Sequence, residues 1–330
     1  MTRPADGCNR LVMDLKTVET RLRRWAYFLL VYTILVILWG AWVRISHSGD
    51  GCGDTWPLCH GQLVPEAARG KTWVEYGHRF TSGLYGLVVI FLFFWVRKLK
   101  NKYELVSVYR WMTWTLVFMV SEALLGAKLV LFGLVNTDQS LWRLVVMSLH
   151  QLNSFMLVAF TVRFLAATYE TLYKQNYLSQ PPQQATPVFF ARPAFLISFL
   201  LIAVTGAWAS LSTTLFPSSS LLDGLMKDVE SGSHLVLKIR GLHPLFGLLI
   251  GGSMSLGLYK ISGQLNVFLS RIALLGSALI ALGVIIGIMT LFLLSPVPLK
   301  IVHLLLAHSL WSCSVFFYHF YTQVKNERSW

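Results

Sequence analysis

Charged residues are scarce in this chain. Asp, Glu, Lys and Arg make up only 13% of its 330 residues, whereas soluble domains of ordinary composition carry about 25%. Hydrophobic residues account for 55% of the chain. This shortage of charge excludes an ordinary soluble enzyme and indicates a membrane protein.

A cleavable signal peptide is also absent from the pattern. The first apolar run follows Arg21, Arg23 and Arg24 and is long enough to remain as a membrane anchor. Met13 is an alternative start, since residues 1–12 are expected to lack structure.

Eight apolar segments are each long enough to cross a bilayer, which takes about 20 helical residues. In lipid the backbone must satisfy its own hydrogen bonds, so these segments are predicted to be helices. The predicted fold class is therefore an all-α integral membrane protein. The spans are 26–46, 76–96, 107–132, 143–168, 192–212, 241–260, 268–293 and 299–322.

The basic excess follows the predicted topology. The side that holds both termini carries 18 Lys and Arg against 6 Asp and Glu, and the other side carries 10 against 9. The positive-inside rule then places both termini in the cytoplasm. The net charge of +13 is therefore interpreted as a topology signal of a protein that contacts membrane lipid. No nucleic-acid partner is predicted.

Two pairs of similar segments indicate an internal repeat. GAWVRIS at 40–46 resembles GAWASLS at 206–212, an offset of 166, and LLGAKLVLF at 124–132 resembles IIGIMTLFL at 285–293. An even number of spans separates the copies, so the repeat is parallel. We predict two pseudo-symmetric four-helix bundles.

This repeat sets the predicted domain organisation, in which a polar, Pro-rich linker separates the two bundles. The segments are a cytoplasmic N-terminus 1–25, a first bundle 26–170, a cytoplasmic linker 171–191, a second bundle 192–322 and a cytoplasmic tail 323–330.

Four histidines lie near the external ends of alternate predicted helices, two in each half: His78, His150, His243 and His303. His78 maps onto His243 at an offset of 165, and His303 takes the place in its span that His150 has. Ionisable residues inside a membrane are functional candidates, and facing imidazoles in a helical bundle hold haem iron. We predict two bis-histidine haem sites. Zinc, which usually takes a third ligand, is the alternative.

Basic residues near these histidines are candidates for binding haem propionates. Arg79, Lys238 and Arg240 lie at the external interface, and guanidinium groups bind carboxylates through paired, charge-assisted hydrogen bonds. Lys238 is explained equally well as a side chain that reaches toward the water layer.

The first external loop, DGCGDTWPLCHG at 50–61, contains Cys52 and Cys59 with six residues between them. The predicted topology exposes this loop to an oxidising compartment, so a disulfide is expected. Its role is either structural or redox-active.

The loop GDGCGDTWPLCHG, EYGHR at 75–79, the GAW of each half and VHLLLAHSLW at 302–311 resemble the haem A synthase family. The similarity is to bacterial members with a Cys-x6-Cys loop and extends from about residue 25 to 322. It implies an oxidoreductase that oxidises a methyl group of haem O to a formyl group by successive hydroxylations, giving haem A for terminal oxidases. It also implies a multi-pass protein of the bacterial cytoplasmic (inner) membrane.

The resemblance assigns roles to individual residues and groups. It implies haem O as substrate and haem A as product in the first half, and haem b in the second. The partners it implies are haem O synthase and an unidentified electron acceptor. The oligomeric state stays open, and exposed helix faces allow a homo-oligomer. The implied residues are His78 and His150 as substrate-haem ligands, His243 and His303 as haem b ligands, Glu75 as the catalytic residue, and Cys52 with Cys59 as the disulfide. Two points depart from a uniform family pattern. Only some family members carry these cysteines, and the second half has His243-Pro244 where the first half has His78-Arg79.

Glu75 distinguishes the two halves. It lies three residues before His78, so both share a helix face, and its carboxylate would act as general base toward water or stabilise developing positive charge. At an offset of 165 its counterpart is Arg240, so the first half is predicted to react and the second to hold haem. A di-haem b cytochrome that exchanges electrons with quinone is the alternative, since it would not need Glu75; a transporter is a weaker one.

Overall fold

The computed structural model describes residues 4–66, 70–170, 173 and 188–326. Within them, eight helical spans are long and apolar enough to cross a membrane, so the chain is a multi-pass, all-α membrane protein. The helices are α1 Pro4–Ile45, α2 Gly70–Tyr103, α3 Val106–Leu131, α4 Leu141–Ala167, α5 Pro193–Leu215, α6 Leu221–Val229, α7 Leu235–Arg240, α8 Leu242–Phe246, α9 Gly252–Ser262, α10 Val267–Phe292 and α11 Val297–Asn326.

The N-terminal prediction is wrong for residues 4–12, whose backbone is helical as part of α1. The physical reason lies in the spacing of Leu15, Val18 and Leu22, which recurs every three or four residues and forms one apolar stripe. Leu22 is fully buried in the first half's core. Helix α1 thus continues through this stripe toward the N-terminus, beyond the predicted membrane span.

Two other predicted boundaries are the linker between the bundles and the end of the second bundle. The linker predicted at 171–191 lies mostly outside the described residues. At the other end, α11 continues to Asn326, so the helix runs past the predicted boundary at 322.

The sixth span is irregular, although its sequence predicts one helix. α7, α8, a π-helical turn at Gly247–Gly251 and α9 follow one another along Leu235–Ser262. Pro244 lacks a backbone N–H and interrupts regular helical hydrogen bonding, and π-helical turns often accompany functional sites. The irregularity therefore starts beside His243.

Each half closes a ring of four spans. In the first half α1 packs on α2, α2 on α3, α3 on α4, and α4 on α1. In the second half α5 packs on α7, α9 on α10, α10 on α11, and α11 on α5. One cluster of buried side chains fills the first half. A second cluster fills the second half and extends onto Phe155, Val158 and Val162 of α4, so the apolar core continues across the contact between the halves.

The halves meet where α4 packs against α5 and α11, and where α1 packs against α11. Arg44 donates a 2.8 Å hydrogen bond to Ser210, its counterpart at an offset of 166. The rings of Phe155 and His308, each five residues after a predicted iron ligand, lie 4.4 Å apart. Equivalent residues touch each other where a two-fold axis passes. These contacts support the predicted pseudo-symmetry, which stays a prediction.

Candidate metal centres

Each predicted ligand histidine lies against a glycine of the preceding span. The pairs are Gly40 with His78, Gly126 with His150, Gly206 with His243, and Gly287 with His303. A Cβ added to these glycines would lie 3.0, 3.7, 2.9 and 3.1 Å, respectively, from the imidazole Cε1. A helix surface without side chains at these points lets each ring lie close to the backbone. The glycines belong to the same short motifs that mark the internal repeat, so the sequence contained this signal.

The second-half pair has the spacing expected of two ligands on one iron. The ring centroids of His243 and His303 are 5.9 Å apart, and the rings are inclined at 80°. A metal–imidazole bond is about 2 Å long, so ligands on opposite sides of one metal place their ring centroids roughly 6 Å apart. His243 Nδ1 lies 3.1 Å from the carbonyl oxygen of Ile202, a contact that leaves Nε2 available for a metal.

The first-half pair is also closely placed. His78 and His150 are near enough to interact electrostatically, and the Nδ1 atom of each is buried without a hydrogen-bond partner. Buried polar atoms normally have partners. The unpartnered Nδ1 of His78 and the glycine niches fit a site for a further group. Haem suits both pairs because imidazoles are its common axial ligands.

The zinc alternative requires more ligands at one point than the pairs supply. Across the part of the chain that the structure describes, no three His, Cys, Asp or Glu side chains converge on a shared metal position. The two pairs therefore match a metal whose remaining ligands come from a macrocycle better than they match a closed zinc site.

Glu75 is buried at the start of α2, with 3% of its surface exposed. Its Oε2 accepts a 2.8 Å hydrogen bond from the backbone N–H of Cys52, and its Oε1 accepts a 3.1 Å bond from Arg79 Nε. Arg79 also donates to the carbonyl oxygens of Thr55 and Leu58 in the same loop. The EYGHR segment is thus tied to the loop between α1 and α2.

That loop is closed by the predicted disulfide, since the sulfur atoms of Cys52 and Cys59 are bonded at 2.06 Å. The disulfide prediction is confirmed. The bond closes a short loop. Within this loop the backbone N–H of Cys52 donates to Glu75.

Arg79 and Arg240, the predicted propionate ligands, each contact a carboxylate and a backbone carbonyl of the protein, and their propionate role stays a prediction. Arg79 is committed to Glu75 and the loop. Arg240 Nε lies 2.7 Å from Asp228 Oδ1, and its Nη2 donates to the carbonyl of Gly224 at 2.8 Å. Guanidinium groups are attracted to the nearest carboxylate, and here the protein supplies one in each half. Lys238 is exposed, and no contact ties it to the histidines.

Three other cations were missed by the sequence interpretation, namely Arg44, Arg143 and Lys300. Arg44 interacts electrostatically with both of the others. Arg143 is 2% exposed, and the Nε atoms of Arg44 and Arg143 are buried without hydrogen-bond partners. Among the described residues, none of the three forms an ion pair at salt-bridge distance.

Two of these cations lie on helices that carry predicted ligands, and Arg44 lies on α1. Arg143 precedes His150 by seven residues and Lys300 precedes His303 by three, spacings that share one helix face. The signal that could have identified them is a charge inside a predicted span. They form a cluster of positive charge in which Arg143 is buried and Arg44 and Lys300 are half-buried, which suits an anionic group.

The glycine niches lead to a matched prediction. Alanine at Gly206 places a Cβ 2.9 Å from the His243 ring, whereas alanine at Gly126 makes only an ordinary 3.7 Å contact with His150. We expect Gly206→Ala to displace the ring and weaken haem retention about 10-fold or more, and Gly126→Ala to leave it unchanged. Haem content per purified chain, measured by absorption, checks this. Equal haem content in the two variants would contradict the niche.

Comparisons with known proteins match the region that contains these residues. A family model described as COX15-CtaA, cytochrome oxidase assembly protein, matches residues 23–315. A protein named Protoheme IX farnesyltransferase from Thermus thermophilus is 35% identical over 298 residues, which cover 90% of this chain and 48% of that protein. The chain therefore spans about half the length of this relative.

Two proteins named Heme A synthase match shorter stretches. The one from Halalkalibacterium halodurans is 41% identical over 101 residues, covering 30% of this chain and 33% of the relative. The one from Symbiobacterium thermophilum is 34% identical over 155 residues, covering 47% and 46%. The resemblance to the haem A synthase family is thereby confirmed. The family model covers most of the eight-span region that holds both histidine pairs, and the chain belongs to the COX15-CtaA family of cytochrome oxidase assembly proteins.

Proposed function

We propose that the chain is a haem A synthase, an oxidoreductase that converts a methyl group of haem O to a formyl group. The observation that carries this proposal is the difference between the two halves. A buried carboxylate, Glu75, stands one turn before His78, whereas the counterpart before His243 is Arg240, which is paired with Asp228. One half thus offers a base beside its ligand, and the other does not.

The two halves hold different haems in this proposal. His78 and His150 bind the substrate haem O and release haem A, and His243 and His303 hold a resident haem b. Arg44, Arg143 and Lys300 bind propionates. Arg143 and Lys300 lie on the same helix faces as His150 and His303, Arg44 is near enough to interact electrostatically with both cations, and none of the three has an ion-pair partner among the described residues. When bound, haem supplies the redox chemistry at iron.

Glu75 acts on the water that enters the reaction. The Cys52 N–H and the Arg79 guanidinium hold its two oxygens from opposite sides, so the carboxylate is fixed rather than mobile. A fixed carboxylate accepts a proton from water and stabilises positive charge that develops on the methyl carbon. Two such hydroxylations produce a hydrate, which loses water to leave the formyl group.

The proposal also includes the location of the protein and its partners. We place the protein in a bacterial cytoplasmic membrane with both termini in the cytoplasm, on the basis of the basic excess on that side. A haem O synthase supplies the substrate, and an electron acceptor takes the electrons released by oxidation. The farnesyl transfer named for the Thermus relative belongs to a protein about twice as long as the matched region, and it is not assigned to this chain.

Pigment extraction tests the function directly. The full chain is expressed in membranes that supply haem O, purified, and its haems are extracted and identified by chromatography. Haem A or haem O together with haem b is the expected result. Haem b alone would instead favour the di-haem cytochrome that exchanges electrons with quinone, and a chain without haem would overturn both assignments.

A further inference from the structure

A second carboxylate stands beside the first histidine pair, and it lies in the interior of a membrane span. Glu122 is in the middle of α3, and its side chain is only 18% exposed. An ionisable group in this position is costly and is a functional candidate by default. The roles proposed for Glu75 and the four histidines do not use it.

Side chains of the neighbouring helix hold Glu122 firmly. Its Oε2 accepts a 2.6 Å hydrogen bond from Asn153 Nδ2, which also donates to the carbonyl of Phe118 at 3.0 Å. Its Oε1 accepts a hydrogen bond from Ser154 Oγ. The carboxylate of α3 is thus held against α4 at two points, one on each oxygen.

The oxygen bonded to Ser154 also faces an iron ligand. Glu122 Oε1 lies 3.4 Å from His150 Nδ1. This distance exceeds that of a normal hydrogen bond, and hydrogen bonds at such sites commonly shorten when the site is filled. Histidines that bind metals usually donate the other ring N–H to a carboxylate or carbonyl, which orients the ring and raises its basicity.

The second half has no equivalent carboxylate. At the offset of 161 residues that relates Gly126 to Gly287, Glu122 corresponds to Gly283, whose backbone faces His303. His243 contacts the carbonyl of Ile202. Within the described part of the chain, His150 alone of the four predicted ligands has a carboxylate at ion-pair distance.

We propose that Glu122 is a positioning residue for the substrate haem, acting through His150. Its carboxylate accepts the Nδ1–H of His150, directs Nε2 toward the iron and makes the imidazole a stronger electron donor. A stronger donor stabilises oxidised iron relative to reduced iron, so the reduction potential of the first-half haem lies below the value it would have without Glu122. This inference rests on the proposed haem binding in the first half.

The test is a spectroscopic redox titration of the full-length purified protein. The second-half haem is identified as the one missing from a His243→Ala variant. Glu122→Gln removes the negative charge but keeps the size of the side chain, and we expect the potential of the first-half haem to rise while that of the second-half haem is unchanged. An unchanged first potential would overturn the inference.

Asn153→Ala is the matched control for a purely structural role. It removes the hydrogen bond to Oε2 and leaves Oε1 beside His150. We expect this variant to lower the thermal stability of the helix pair without moving the potential. If Asn153→Ala raises the potential as much as Glu122→Gln does, the effect comes from helix packing and the positioning role is wrong.

Gly283→Glu tests the same idea in the other half and does not depend on the folding of a Glu122 variant. A Cβ at Gly283 meets no atom within 4 Å, so the added side chain has room. We expect the potential of the second-half haem to fall, and no change there contradicts the inference. A wild-type protein that binds haem only in its second half would instead refute the proposed function, so the two failures are distinguishable.

Discussion

Glu75→Gln is expected to abolish haem A formation, by about 10²–10⁴-fold, which is the usual contribution of a general base, while both haems stay bound. Glutamine keeps an oxygen that can accept from the N–H of Cys52, so the loop contact survives while the charge and the basicity are lost. Haem A in membranes that supply haem O, quantified after extraction, is the measurement. Normal haem A output at normal haem content would remove Glu75 from the mechanism.

Arg79→Gln separates chemistry from loop anchoring. It breaks the ion pair with Glu75 and the contacts with the loop carbonyls, but it leaves the carboxylate in place. We expect a partial loss of haem A formation with this variant. Equal loss in Arg79→Gln and Glu75→Gln would mean that Glu75 serves only to hold the loop.

Glutamine is also a sharper replacement than arginine at this position. Glu75→Arg imitates the second half, where Arg240 stands, and it is expected to bind haem in both halves and make no haem A. In the first half, however, the new guanidinium would face Arg79, which now contacts Glu75, and like charges repel. A loss of activity in that variant would therefore combine two causes.

His243→Ala is expected to remove one of the two haems from each chain. His243 and His303 have the spacing of opposed ligands on one iron, and one imidazole alone leaves the iron without its second axial bond. The haem-to-protein ratio of the purified variant should fall by half, and the remaining spectrum should be that of the first-half haem. Full haem content in this variant would refute the second site.

His308→Leu is the matched control on the helix that carries His303. His308 is fully buried, packs against Phe155, and neither of its ring nitrogens has a hydrogen-bond partner. Replacing an unpartnered buried polar group by an apolar one of similar size is nearly neutral or stabilising. We expect normal content of both haems and unchanged thermal stability. Loss of haem here would show that the effect of His243→Ala is not specific to a ligand.

Much of the architecture was accessible from the sequence because it depends on local chemistry. A membrane span needs only enough consecutive apolar residues, and eight were identified. The disulfide followed from two cysteines in one short external loop, and it is present. Errors arose where a signal is weak. The short apolar stripe of Leu15, Val18 and Leu22 precedes the predicted span, and α1 begins before it. Pro244 precedes a π-helical turn that a hydropathy profile does not reveal.

The candidate site was predictable only in part, and the cations show why. Arg79 and Arg240 were predicted because they lie close to histidines along the chain, and only the structure shows that Glu75 and Asp228 pair with them. Arg44, by contrast, comes from another span. Its proximity to Arg143 arises from packing within the first half, and its proximity to Lys300 from packing between the halves. No spacing along one helix reveals either.

The sequence by itself determined the membrane class, the repeat, the four histidines and the contrast between Glu75 and Arg240, because each follows from residue type and spacing along a helix. Only the tertiary structure decided which partners those residues have. It set each imidazole against a glycine, bound Glu75 to the N–H of Cys52, and brought Glu122 to His150. These contacts join different spans, and packing between helices determines which faces meet.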